Sequence, residues 1–418
     1  MKRLIVYLHG ESVGTLDQDD SGLIEFRYGS EWLNRANRIP LSRSLPLQGE
    51  PFRGRHIRAF FAGVLPDEGP REQVAAVLGI SAKNDFAMLE RIGGECAGAV
   101  SLLPEGAPAP QRGAMRTIEL NEEELAAVVA ELPRRPLLAG REGVRLSLAG
   151  SQLKLPVVLT ASGAVALPLG DTPSTHILKP EPDRFPGLVA NELFCMKLAR
   201  AAGLRVPEIF VRTTGDRRCL VVARYDRVED AAGTVTRVHQ EDFCQALGLP
   251  PERKYQEEGG PLLRDCVNLL REWSTVPVLD IRDFLDGLTF NAVIGNADAH
   301  GKNYSMLYFQ GDRRLAPFYD LVCTLAWPEL SKVPAMKIGK SESIETITPA
   351  HWQRMARECG VGWPMLRERM VRLCARVVSG VTDAEAHCAA VDAAEACRLA
   401  ETVGNRAKAL FQSLKEGW

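Results

Sequence analysis

The chain has no paired cysteines. Its ten cysteines (Cys96, Cys195, Cys219, Cys244, Cys266, Cys323, Cys359, Cys374, Cys388 and Cys397) stand alone, with no C-x-x-C pair among them. That spacing indicates neither a zinc knuckle nor a disulfide framework, and it suits a reducing compartment. No run approaches the ~20 apolar residues of a membrane-spanning helix. The opening, Met1-Lys-Arg-Leu-Ile-Val-Tyr-Leu-His9, is basic, but its apolar run is too short for a signal peptide. A cytoplasmic location without membrane contact is therefore the expectation. Charge of one sign is also missing: 51 Lys and Arg stand against 53 Asp and Glu, a formal net charge of -2. This gives no electrostatic case for a nucleic-acid binder, although a local basic patch stays open. Internal repeats and low-complexity tracts are absent too.

What is present is ample core material. The 418 residues are 45% hydrophobic and 25% charged, the balance of a globular protein with two or three domains or one large bilobal unit. Strand-like alternation runs through Leu4–Leu8, Ser12–Leu16 and Leu23–Tyr28. Helical patterns follow at Ile57–Leu65 and Glu72–Leu78, then a strand at Gly98–Leu103. The Pro- and Gly-rich stretch Pro104–Gly113 reads as a connector. Asn121 with Glu124 predicts a capping box opening a helix that stops before Pro133. Strands are expected at Gln152–Thr160, Thr175–Lys179 and Arg218–Arg224, with a helix at Ala190–Ala202 ended by Gly203. Beyond Asp226 the pattern is mostly helical. Its apolar stripe of Met365, Leu366, Met370, Leu373, Cys374, Val377 and Val378 reads as core.

The chemistry concentrates in Gly295-Asn-Ala-Asp-Ala-His-Gly-Lys-Asn303, followed by Phe318-Tyr319-Asp320. An Asp, an Asn five positions on and a second Asp after a hairpin are what phosphoryl transfer from ATP needs. Asp298 can accept the proton of an attacking hydroxyl, and Asn303 and Asp320 can hold magnesium against phosphates. The expected hairpin is Tyr304–Phe309, a turn at Gln310–Arg314, and a returning strand Leu315–Tyr319, which brings Asn303 and Asp320 to the same end. His300 fits a role in orienting this loop or touching phosphate. No further His or Cys lies near enough to suggest a transition-metal site.

Upstream, Lys179 ends its strand as the candidate to pair with ATP phosphates, and Glu192 on the next helix can fix it as an ion pair or simply favour the helix dipole. In Ser147-Leu-Ala-Gly-Ser-Gln-Leu-Lys154, the small residues Ala149, Gly150 and Ser151 allow backbone N–H groups to approach phosphate, with Lys154 adding charge. This segment matches neither G-x-x-x-x-G-K-[ST] nor G-x-G-x-x-G, and an ordinary tight turn explains it as well. Leu220–Asp226 is a buried-type strand that turns polar. It reads equally as a hinge pairing with adenine or as a core strand followed by a loop.

Taken together, these residues resemble the HipA family of serine/threonine kinase toxins from bacterial toxin–antitoxin pairs. The likeness covers nearly the whole length. It includes Tyr28-Gly-Ser-Glu-Trp-Leu33, Leu41-Ser-Arg-Ser-Leu-Pro-Leu47, Phe60-Phe-Ala-Gly-Val-Leu-Pro-Asp67, Ser147-x-Ala-Gly-x-Gln152 and Thr175-His-Ile-x-Lys179. It continues in Gln240-Glu-Asp-x-Cys-Gln245, Asp298-x-His-x-Lys-Asn303 and Phe318-Tyr-Asp320. The resemblance implies an α+β, bilobal protein-kinase-like fold. Residues 1–104 would be a β-rich extra subdomain, 114–226 the sheet lobe with phosphate loop and ATP lysine, and 227–418 the helical lobe with catalytic loop and metal site.

The same resemblance implies Asp298 as catalytic base assisted by His300, and Asn303 and Asp320 as magnesium ligands. ATP would be held by Ala149, Gly150, Ser151, Gln152, Lys154, Lys179, Ala223, Tyr225, Asp226 and Tyr319. Ala223 stands where some relatives carry an acidic side chain, so adenine contacts there fall to backbone or to Tyr225 and Asp226. Ser147 would be the autophosphorylated serine whose modification displaces the phosphate loop. The implied target is an aminoacyl-tRNA synthetase such as glutamyl-tRNA synthetase, and the implied partner a HipB-like helix-turn-helix antitoxin that carries most of the contact with operator DNA. Two alternatives share parts of the pattern. Asp-x-His-x-x-Asn also resembles aminoglycoside and choline phosphotransferases, and an inactive chain could act as a co-repressor only.

Overall fold

The structure is a computed structural model that describes residues 1–110, 115–231 and 233–416. Residues 111–113 of the expected connector and residue 114, which opens the expected sheet lobe, lie outside the described residues, as do 232, 417 and 418 of the expected helical segment.

Alternation decides the first strand. In Lys2–Leu8, Leu4, Val6 and Leu8 are buried while Lys2 and Arg3 are exposed. The strand belongs to an antiparallel sheet in the order Phe52–Arg53, Ile24–Tyr28, Glu11–Gln18, Lys2–Leu8, Val100–Pro104. Leu4 faces Leu16 on one side and Pro104 on the other. Gly14 is required by close approach, because a Cβ there would lie 2.2 Å from the Arg27 carbonyl oxygen. Phe26 packs edge-on against Tyr28 at 4.8 Å and in a tilted pair with Phe61 at 5.4 Å, which joins the helix Arg55–Phe61 to the sheet. That helix stops four residues earlier than the pattern predicts, since Gly63 and Pro66 disfavour its continuation. A further helix, Asp85–Ile92, is capped by the Asn84 side chain accepting from the Ala87 amide at 3.0 Å. Its apolar residues run consecutively from Phe86 to Leu89, so no helical period marks it in the sequence.

The strands Arg217–Ala223, His176–Pro180, Leu155–Leu159, Val165–Pro168 and Thr117–Leu120 follow in that order within a six-stranded sheet. The Asn121–Glu124 capping box is present, and the helix Glu122–Glu131 ends before Pro133. Beyond Asp226 the chain is mostly helical as expected, apart from the strands Arg227–Glu229, Val235–Arg237 and His239–Asp242, which the pattern does not show. Each has only three or four residues, too few to display an alternation.

Helices dominate thereafter: Leu263–Trp273, Pro277–Ile294, Pro349–Glu358, Trp363–Ala389 and Ala393–Glu416, with Leu188–Ala201 from earlier in the chain. The stripe on Trp363–Ala389 is core at Leu366, Met370, Leu373, Cys374 and Val377, while Met365 is exposed. Gly380 lets this helix approach Leu188–Ala201, since a Cβ there would lie 3.0 Å from that of Ala201. The residues group into two compact units, Met1–Pro180 with Arg212–Glu252 and Leu307–Gly311, and Glu181–Val211 with Arg253–Met306 and Asp312–Trp418. The first unit combines sheets with several helices and the second is mostly helical, in keeping with the expected α+β class.

Glu241, in the first unit, is fully buried. It accepts hydrogen bonds from the Ser42 hydroxyl, the Arg43 amide and the Tyr308 hydroxyl. Burial pushes its carboxyl up to about 7 from 4.5, and those three bonds only partly oppose the rise. A folded value above the unfolded one means that this group stabilises below pH 4.5 and loses that contribution as pH rises toward 7. His239 on the same strand, lowered to about 3 by burial and by His9, slopes the other way. Glu241→Gln cancels the first slope and leaves the second. Urea unfolding should therefore show the variant gaining on the wild type by ~1–3 kcal/mol between about pH 5 and about pH 8. A pH-independent difference would contradict this account.

Candidate active site

The second unit carries the catalytic-type loop. The helix Pro277–Ile294 ends at Gly295 in the left-handed conformation (φ 75°), where a Cβ would lie 2.6 Å from Leu325 Cδ1. The Asn291 carbonyl accepts from the Asn296 amide at 2.9 Å, and the Asn296 side chain bridges Asn291 Oδ1 at 2.8 Å to the Asp298 amide at 3.0 Å. The Thr324 hydroxyl accepts from the Ala297 amide at 2.9 Å and donates to the Gly295 carbonyl at 2.9 Å. The His300 amide then donates to the Asp298 carbonyl at 2.8 Å, and the Asn303 amide to the His300 carbonyl at 2.9 Å. Asp298 is thus an exposed side chain on a backbone tied at every turn.

The hairpin that follows is shorter than expected. Its strands are Ser305–Phe309 and Asp312–Leu315, joined by Gln310 (φ 52°) and Gly311 (φ 90°). Two successive positive φ values make a two-residue turn, so the returning strand starts at Asp312 rather than Leu315. The Ala316 amide donates to the Ser305 carbonyl at 2.8 Å. Tyr319 donates to the Lys302 carbonyl at 2.7 Å, with its hydroxyl also 2.7 Å from Ser305 Oγ. Asn303 and Asp320 are thereby held beside the same tyrosine, which places Tyr319 as the brace of the hairpin mouth. Asp320 itself has φ 52°, an uncommon conformation for a residue other than glycine. Two residues beyond Leu321, the Cys323 amide is fixed by Asn191 Oδ1 at 2.8 Å.

Asn303 and Asp320 supply oxygen donors of the type magnesium prefers. Among the described residues no group of three or more His, Cys, Asp or Glu is placed to hold a metal ion. Magnesium here would combine two protein donors with phosphate oxygens, as nucleotide-bound magnesium commonly does. The donor set fits the ion.

The first unit carries the remaining candidates. Gly150 has φ 109°, open only to glycine at low cost, and Lys154 donates to the Ala149 carbonyl at 2.8 Å across the turn. Ser151 is exposed, and Gln152 is half-buried beside it. The loop leans on Val64–Asp67. Ser147 is fully buried with its hydroxyl on the Val64 carbonyl at 2.8 Å, and the Asp67 amide donates to the Gly150 carbonyl at 3.1 Å. Lys179 faces Leu220 across the sheet and is only 4% exposed, far from an ordinary solvated lysine. Glu192 in the second unit is likewise buried.

In the segment Ala223–Asp226, sequence reasoning missed what Asp226 does. Its carboxylate takes Arg224 Nε at 2.9 Å, Arg224 Nη2 at 2.7 Å and the Gly98 amide at 2.7 Å. Glu95, fully buried, accepts from Arg224 at 3.1 Å and from Arg227. Burial pushes both carboxyls up, but the adjacent guanidinium groups outweigh it and hold both below the usual range. The Asp226 side chain is therefore committed to scaffold. Tyr225 donates to Gln240, and the methyl of Ala223 offers no polar group. The alternating charges of Arg224, Asp226 and Arg227 hinted at such a cluster. Glu95, some 130 positions away, gave no signal. Tyr255 was missed as well: its hydroxyl donates to Asp298 Oδ1 at 2.8 Å.

Comparison with known proteins identifies the family. Residues 146–384 match the HipA-like C-terminal domain, and residues 4–103 match the HipA N-terminal domain. The chain is 46% identical over 421 residues to Y4mE of Sinorhizobium fredii, described as a candidate kinase, covering 98% of this chain and 99% of that protein. It is 31% identical over 369 residues to the serine/threonine-protein kinase toxin HipA of Shewanella oneidensis, covering 85% of this chain and 83% of that one. Among solved structures it is similar to a chain of the Shewanella oneidensis complex of HipA, HipB and operator DNA. That match has a TM-score of 0.86 and 26% identity over 99% of this chain and 98% of the other. The expected α+β, kinase-like fold is the fold of this protein.

Removing one member of the buried cluster leaves charges without compensation. Arg224→Met should cost ~3–5 kcal/mol in urea unfolding. A loss below ~1 kcal/mol would show that Glu95 and Asp226 do not depend on Arg224.

Proposed function

This chain belongs to the HipA family, and from that we propose that it is an ATP-dependent serine/threonine protein kinase of the toxin type. The observation that carries this reading is the exposed Asp298 on a rigid loop, with Asn303 and Asp320 gathered by the Tyr319 brace. Asp298 takes the proton of the acceptor hydroxyl as the phosphoryl group transfers. His300 keeps the loop in place, and Lys179 and Lys154 supply positive charge to phosphates, with backbone N–H groups of Ala149–Gln152 around them. Asn303 and Asp320 would hold magnesium, which when bound neutralises phosphate charge and orients the transferring group. With Asp226 engaged by Arg224, adenine recognition falls to the backbone of Ala223–Asp226 and the Tyr225 ring.

In this reading Ser147 is the regulatory autophosphorylation site. Its burial against Val64 means that it reaches a phosphoryl donor only after the segment 147–154 leaves Val64–Asp67. A phosphate of charge about -2 could not return to that buried, uncharged carbonyl, so modification would hold the segment out. The substrate would be an aminoacyl-tRNA synthetase such as glutamyl-tRNA synthetase. A HipB-like antitoxin would neutralise the kinase and provide most of the DNA contact, in keeping with the net charge of -2.

Intact mass and peptide mapping after incubation with magnesium-ATP test the reading. Wild-type protein, stripped of phosphate beforehand, should gain phosphate on Ser147. Asp298→Ala should be slower by ~10²–10⁴. Equal rates in the two proteins would remove Asp298 from its assigned role.

A further inference from the structure

Tyr255 stands outside every sequence motif quoted above, yet it touches the group on which the chemistry depends. Its hydroxyl donates to Asp298 Oδ1 at 2.8 Å, and its ring meets the His300 ring edge-on at 5.3 Å. The segment behind it is locked to the same loop. The Gln256 amide donates to the Ala335 carbonyl at 2.9 Å, and the Ala335 amide donates to the Ala297 carbonyl at 2.7 Å, one residue before Asp298. The Tyr255 carbonyl closes its own turn by accepting from the Glu258 amide at 3.0 Å and the Gly260 amide at 2.8 Å. Lys337 adds a backbone donor to Gln256 Oε1 at 2.8 Å. The backbones that carry the phenol and the carboxylate are therefore fixed relative to each other by main-chain bonds.

We propose that Tyr255 is the positioning residue of the general base. An exposed Asp rotates among several rotamers, only some of which aim an oxygen at an acceptor hydroxyl. A donor held at Oδ1 restricts that rotation. In the transfer step the acceptor O–H bond breaks and its proton passes to the Asp298 carboxylate. The acceptor oxygen bonds to the γ-phosphorus, the bond from γ-phosphorus to the bridging oxygen breaks, and its electron pair leaves on ADP. Tyr255 neither gains nor loses a proton. Its effect is on the fraction of time the base is aimed, so it governs the rate at saturating ATP and not ATP binding. This rests on the kinase reading above.

The test is magnesium-ATP turnover, followed as ADP release and protein phosphorylation, for wild type, Tyr255→Phe and Asp298→Asn. Tyr255→Phe keeps the ring against His300 and removes only the hydroxyl. The expected result is a rate at saturating ATP lower by roughly 10- to 100-fold, the loss of one hydrogen bond to a charged group. Half-saturating ATP and the melting temperature should match the wild type. A wild-type rate in Tyr255→Phe with Asp298→Asn inactive overturns the proposal and leaves the kinase reading standing. A rise in half-saturating ATP that accounts for the whole defect also overturns it. A wild-type rate in Asp298→Asn sinks the kinase reading and the proposal together.

Discussion

Between the helix that ends at Ile294 and the strand that begins at Ser305, the chain has to offer one carboxylate to solvent from a backbone that is itself buried. Regular structure there is limited to the short 3-10 turn Gly301–Asn303, and each unsatisfied buried amide or carbonyl would cost ~1–3 kcal/mol. Side chains take over that task. Asn296 satisfies the Asp298 amide, and the Thr324 hydroxyl spans the Ala297 amide and the Gly295 carbonyl. Thr324 lies just past Asp320, and its neighbour Cys323 is held by Asn191. One hydroxyl therefore couples the loop bearing Asp298 to the segment that follows Asp320. The positions of Asp298 and Asp320 are set together.

A comparable economy holds the first unit. Glu95 uses both halves of itself: its main chain donates to the Arg145 carbonyl and accepts from the Ser147 amide, each at 2.8 Å. Its carboxylate meanwhile lies among Arg224, Arg227 and Ser174. Buried charges are expensive, and the attraction between them offsets that cost only where geometry and remaining hydrogen bonds are good. Here two carboxylates and two guanidinium groups satisfy one another, with the Gly98 amide and Ser174 filling further sites. The backbone that Ser147 pairs with is consequently anchored from its far side. The segment 147–150 gains a fixed partner without having to be rigid itself.

What could be read from the sequence follows from this division. The hairpin between Asn303 and Asp320 is legible because strand and turn chemistry is local. The strands of residues 2–28 and the capping box at Asn121 are legible because period and cap chemistry are local. Glu95 and Tyr255 are not. A buried acid and a tyrosine have many structural uses, and their partners, Arg224 and Asp298, lie far along the chain. The short strands of 227–242 escape because three or four residues cannot reveal a period. The helix Asp85–Ile92 escapes because burial nearly all round erases its amphipathic stripe. Local rules were visible, and long-range satisfaction of polar groups was not.

Asp320 shows the two kinds of constraint meeting in one residue. His9 and Gln310 share its positive φ, but each sits in a turn directly before a glycine. Asp320 has no glycine neighbour, follows Phe318 and Tyr319, and pays about 1 kcal/mol or more for its backbone. Glycine would relieve that strain and asparagine would lessen it. Neither would bring a carboxylate to the mouth of the hairpin that Tyr319 closes. The strain persists because the surrounding bonds, Tyr319 to Lys302 and Ser305 on one side and Asn191 to Cys323 on the other, leave the backbone no alternative path. A residue held at some backbone cost by bonds on both sides differs from a polar turn, and its carboxylate is the one proposed above to hold magnesium.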